Sequence, residues 1–149
     1  MKYFLTIVLT ALSLQATDIV DLVGLLDRND TKGFESHIQT LSDANSARED
    51  NKKTILMYAC WVGNFDAVRY LLNKGADVAA QDMGGATALH LAIWKGYSPI
   101  ALYLIEHGAS GTVMSQEGMS PLDIAILKEN HEVISAIDKK SPKLKSLLK

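Results

Sequence analysis

The chain has 149 residues, of which 48% are hydrophobic and 21% charged, with a formal net charge of -2. That length holds one domain or one short array around a continuous core, and the near balance of charge excludes the general attraction that draws basic proteins to nucleic acid or anionic membranes. A single cysteine, Cys60, excludes an intrachain disulfide and a cysteine-rich zinc site, and the four histidines, His37, His90, His107 and His131, do not share metal-ligand spacing on one predicted helix.

In chain order, the first feature is Lys2 followed by an apolar run from Tyr3 to Leu14, broken only by Thr6, Thr10 and Ser13. The run is shorter than the roughly 20 residues of a spanning helix and has the shape of a secretory signal. Residues 1–16 are therefore expected to be a signal peptide cleaved near Ala16, leaving no stable membrane anchor and a periplasmic or secreted protein. An uncleaved anchor or a buried N-terminal helix is the alternative.

Residues 17–48 read as a capping helix pair with its loop, the helices being Ile19 to Leu26 and Lys32 to Leu41. Ser42 to Lys53 is polar and expected to be an extended hairpin or loop. Asp30, Phe34 and Ile38 stand ahead of Gly63, Ala67 and Leu71 by one and the same step, which places this pair in register with the rest of the chain.

The dominant signal is an internal repeat with that step as its period. Thr54-Ile55-Leu56-Met57-Tyr58-Ala59-Cys60 recurs as Thr87-Ala88-Leu89-His90-Leu91-Ala92-Ile93 and as Ser120-Pro121-Leu122-Asp123-Ile124-Ala125-Ile126, the three starts being equally spaced. Gly63 recurs as Gly96, Leu71 as Leu104 and Ile137, and Gly75-Ala76-Asp77 as Gly108-Ala109-Ser110. In each first helix the small Ala59, Ala92 and Ala125 allow close approach while Leu56, Leu89 and Leu122 supply core. The second helices carry Ala67, Val68, Leu71 and Leu72, then Ile100, Ala101, Leu104 and Ile105, at helical spacing. Ser98-Pro99 is expected to start its helix as cap and first-turn proline, and Gly75 and Gly108 to end theirs.

A period of 33 with Thr87-Ala88-Leu89-His90-Leu91-Ala92 at its head resembles the ankyrin repeat family, and Asp82 and Gly85 stand where that family has its turn aspartate and glycine. The departures are local: the signature proline is kept at Pro121, the histidine at His90, Lys52 replaces a turn glycine and Glu129 an inter-helix glycine. The resemblance implies an all-α solenoid of stacked helix pairs with β-hairpin or loop connections and capping repeats at both ends. Its units are residues 49–81, 82–114 and 115–149, the last a C-terminal cap whose tail carries Leu144, Leu147 and Leu148 among lysines after Ser141-Pro142.

Cys60 aligns with Ile93 and Ile126, read as helix-core positions, and so reads as core. His90 holds the family's signature histidine, which implies a hydrogen bond to the neighbouring turn. No nucleophile with its base, paired carboxylates or phosphate-binding loop stands out as a motif, so no catalysis and no metal or other cofactor is expected. The outliers are Trp61 and Trp94, one period apart and continued by Leu127, with Val62, Lys95 and Lys128 following one residue later. In ankyrin repeats this position faces the concave groove, so the resemblance implies a partner-binding surface extended by Met83, Ala86, Met114, Gln116 and Met119. The alternative is that the tryptophans seal seams between repeats. The function implied is that of an exported, monomeric, non-catalytic adaptor for another protein, without nucleic acid. Two other roles stay open: a periplasmic accessory carrying or shielding a haem-like or apolar ligand for an exported redox enzyme such as a catalase, and a secreted effector.

Overall fold

The structure, a computed structural model, describes residues 18–141. The expected signal peptide, its cleavage near Ala16 and the tail with Leu144, Leu147 and Leu148 lie outside the described residues. Within them the chain forms α1 (Asp18–Asp27), α2 (Thr31–His37), α3 (Leu41–Ala44), α4 (Ile55–Val62), α5 (Phe65–Asn73), α6 (Ala88–Trp94), α7 (Ser98–Glu106), α8 (Pro121–Leu127) and α9 (His131–Lys140). Among the described residues there is no strand, only an isolated antiparallel bridge between Ala47 and Thr54.

The first helix of each full repeat starts at a hydroxyl residue in extended conformation: Thr54, Thr87 and Ser120. Three positions on, a side chain turns back to accept that residue's backbone N–H, which no helix carbonyl reaches. Met57 Sδ lies 3.4 Å from Thr54 N, His90 Nδ1 3.0 Å from Thr87 N and Asp123 Oδ2 2.8 Å from Ser120 N.

Each helix pair then turns at a residue of positive φ: Asn29 (55°), Gly63 (80°), Gly96 (80°) and Glu129 (54°). At Gly63 the space is closed as well, since a Cβ there would lie 2.6 Å from Tyr97 Cζ. The next residue, Asp30, Asn64, Tyr97 or Asn130, caps the second helix. Asn64 also donates from Nδ2 to Asn29 Oδ1 (3.0 Å), and Asn130 from Nδ2 to Ser98 Oγ (2.8 Å), so a cap in one pair grips the pair before it.

These caps correct two expectations. The cap of α7 is Tyr97, with Ser98 and Pro99 already inside the helix and Ser98 Oγ serving Asn130. The first pair is out of the expected register by one. The step from cap Asp30 to cap Asn64 is one residue longer than the equal steps from Asn64 to Tyr97 and from Tyr97 to Asn130, so Phe34 matches Val68 and not Ala67. The second helix of that pair ends at His37, and the chain turns through the short α3 before its hairpin. The degenerate unit is tied to its neighbour by Tyr70, whose hydroxyl donates to Ile38 O (3.0 Å), and by Asn45, which accepts from Asp77 N (2.7 Å).

The pairs stack into two rows. α1, α4, α6 and α8 pack in succession, and α2, α5, α7 and α9 lie behind them. Ala59, Ala92 and Ala125 are fully buried where the first-row helices meet, and Leu56, Leu89, Leu71 and Leu104 fill the space between rows. Burying each such leucine is worth about 1.5–3 kcal/mol, so the stacking of amphipathic faces is the main source of stability. Cys60 is fully buried in this core, which pushes its thiol well above the usual range and leaves it a small hydrophobe. The expectation fails at the last repeat: Ile126 is 56% exposed and Leu122 only half-buried, although Cys60 and Ile93 at Ile126's position are fully buried. The helices that carry those two each pack against a following first-row helix, and among the described residues no first-row helix follows α8.

Candidate functional site

The loops before α4, α6 and α8 form a row of fingers. Asp82 makes the middle one, its Oδ1 accepting from Gly84 N and Ala86 N, both at 2.9 Å, while Gly85 at φ 74° reverses the chain. Fingers bond to one another through Met83 N to Asn51 O (2.9 Å) and Gln116 N to Gly84 O (2.8 Å). Gln116 adds its side-chain amide to Met83 O at 2.7 Å, so that amide is used within the scaffold.

Fingers and first-row helices face each other across a groove of about 330 Å³. Trp61, Leu91, Trp94 and Ile124 line it from the helices, and Asp82, Ala86, Ser115, Glu117 and Met119 from the fingers. Leu91 and Trp94 are three residues apart on α6, and so share a face. Trp61 and Trp94 are 41% and 46% exposed.

Each tryptophan is covered by the lysine that follows its counterpart one repeat on. Lys95 Nζ lies 4.5 Å from the centre of the Trp61 ring and Lys128 Nζ 4.8 Å from that of Trp94, with Lys53 on Trp61 at 5.6 Å. These are cation–π distances, worth about 0.5–1 kcal/mol at exposed sites.

His90 lies beneath the groove and is buried. Its Nδ1 accepts Thr87 N–H, so Nε2 carries the proton and donates to Met119 O at 3.2 Å, pinning α6 to the next finger. Burial holds its pKa below the ordinary imidazole value and the ring neutral. Both ring nitrogens are thereby engaged. No cluster of three or more potential metal ligands occurs among the described residues.

Residues 9–82 and 28–115 match the family model for ankyrin repeats (three copies). The chain belongs to the ankyrin repeat family. No curated protein matches it by sequence. Ankyrin repeats generally mediate protein–protein interaction and are typically non-catalytic. The helix pair α8–α9, beyond the matched stretches, carries the same cap and turn positions as the ankyrin repeats before it.

Of the residues expected at the partner surface of this ankyrin array, the structure brings Trp61, Ala86, Trp94 and Met119 together in the groove, with Lys95 and Lys128 over the indoles. Met83, Met114, Gln116 and Leu127 are exposed but outside its lining, Leu127 at 63%. Val62 is half-buried against the core. Sequence reading missed Lys53, Leu91, Ser115, Glu117 and Ile124. Their signal was adjacency: Leu91 one helical turn before Trp94, and Ser115 and Glu117 flanking Gln116.

Proposed function

We propose that this chain is an exported, non-catalytic adaptor that holds a partner protein along the groove between its fingers and first-row helices. The observation that carries the reading is the exposure of Trp61 and Trp94 at equivalent places in successive repeats, beside a continuous groove. Large rigid aromatics bury much area for little lost entropy, and interface hot spots are enriched in them. The lysines over the indoles keep such apolar surface soluble until a partner replaces water.

Crosslinking tests the groove directly. A photoreactive residue in place of Met83, at the finger rim, should form an adduct with the native partner, whereas one in place of Arg69, on the exposed second row, should not. Adducts from Arg69 alone would place docking on the opposite face. Export is supported by Lys2 and the apolar run to Leu14. Mass spectrometry of the native protein should find a new N-terminus close to Thr17, and soluble cytoplasmic protein that keeps Met1 would overturn it.

A further inference from the structure

The charges around the groove are arranged unequally. On the helix side stand Lys95 and Lys128, stacked on Trp61 and Trp94, while Lys53, at the base of the first finger, also reaches the Trp61 ring. None of the three is in an ion pair among the described residues, where the salt bridges are Arg48–Asp50 and Arg69–Asp66. Lys95 and Lys128 cap the C-termini of α6 and α8, where a cation is favoured by the helix dipole. That placement still leaves each ammonium free to pair with an anion. On the finger side Asp82 is committed to its own turn, and Glu117 is exposed at the groove's edge. The apolar part of the groove between them is Trp61, Leu91, Trp94, Met119 and Ile124.

We propose that the groove selects a partner segment that is both acidic and apolar, with an apolar side chain between Trp61 and Trp94 and carboxylates turned toward Lys95 and Lys128. The inference rests on the groove being the docking face. An anionic segment on the finger side meets Glu117, whereas on the helix side it meets ammonium groups that can keep their indole contacts, so the charge pattern sets its orientation. A single-stranded nucleic acid fits less well, because base stacking needs bare aromatic faces and the indoles already carry lysines, while Glu117 repels a phosphate backbone.

The two tryptophans, the only ones in the chain, make binding readable by fluorescence. The probes are three short synthetic peptides of equal length, each with one central leucine, flanked by glutamate, glutamine or lysine, together with an oligothymidylate. The glutamate peptide should shift the emission saturably, and raising salt from about 50 to about 500 mM should weaken it about tenfold by screening. Lys95→Glu with Lys128→Glu should lose the glutamate peptide by about tenfold or more and gain the lysine peptide. Should that double variant not fold, Lys95→Gln and Lys128→Gln singly should each weaken the glutamate peptide alone. Equal binding of the glutamine peptide that is lost in Trp94→Ala would overturn the charge preference and leave the groove as the docking face. Preference for the lysine peptide, binding of oligothymidylate in place of peptide, or no response to any probe would overturn the proposal, the groove itself being decided by the crosslinking of Met83 and Arg69 variants.

Discussion

At Met57, His90 and Asp123 three chemistries do one job, closing the N-terminus of a first-row helix, and only two of them titrate. The folded pKa of His90 lies below its unfolded value of about 6.5, so as pH falls the unfolded chain takes up the proton first. Its contribution is therefore complete above about pH 6.5 and is lost as pH drops through the folded value. Asp123 is held below the usual carboxylate range by the Ser120 hydroxyl and N–H, so its contribution is present above about pH 4 and lost further into acid. Urea melts between pH 7.5 and 5 should show declining stability, and His90→Gln should flatten that decline. An unchanged slope would mean the imidazole is not held neutral. Glu129 is the converse case, a side chain in a conformation that suits glycine. Releasing about 1–2 kcal/mol of left-handed strain, less about 0.5–1 for the freer unfolded chain, Glu129→Gly should stabilise by about 0.5–1 kcal/mol. A lower melting temperature would contradict this.

Among the elements, the constant repeat step exposed the full helix pairs in the sequence because one structural need recurs at each position: a cap, a small contact residue, a turn glycine. The first pair was misplaced by one residue because its turn uses Asn29, which carries no glycine signal, while Asp30 stood where a glycine was sought. Ile126 was misread for a different reason. Its sequence position is that of a core residue, but burial there depends on a following repeat, which no pattern inside the repeat reports. Ile93→Ala should accordingly cost about 2–5 kcal/mol, and Ile126→Ala under about 1 kcal/mol. Equal losses in denaturant unfolding would show that the α8 face is covered in solution.

For the whole molecule, two rows of helices hold the fingers at a fixed distance from the tryptophans, so the groove belongs to the stack and not to any one repeat. Equal spacing puts Trp61 and Trp94, and likewise Lys95 and Lys128, on one face, and the resemblance to ankyrin repeats implied that this face is the groove. It did not show the lysines folded over the indoles or Glu117 opposite, because those relations join residues from different repeats. The central claim is that this groove is the docking face. Affinity for the native partner, measured by calorimetry with Trp61→Ala and Trp94→Ala, tests it most directly, with far-UV circular dichroism melts as the folding control. Each variant should weaken binding by about 2 kcal/mol or more while melting as the parent does. Variants that fold and bind like the parent would contradict the claim, and variants that unfold would show the tryptophans to be seam residues.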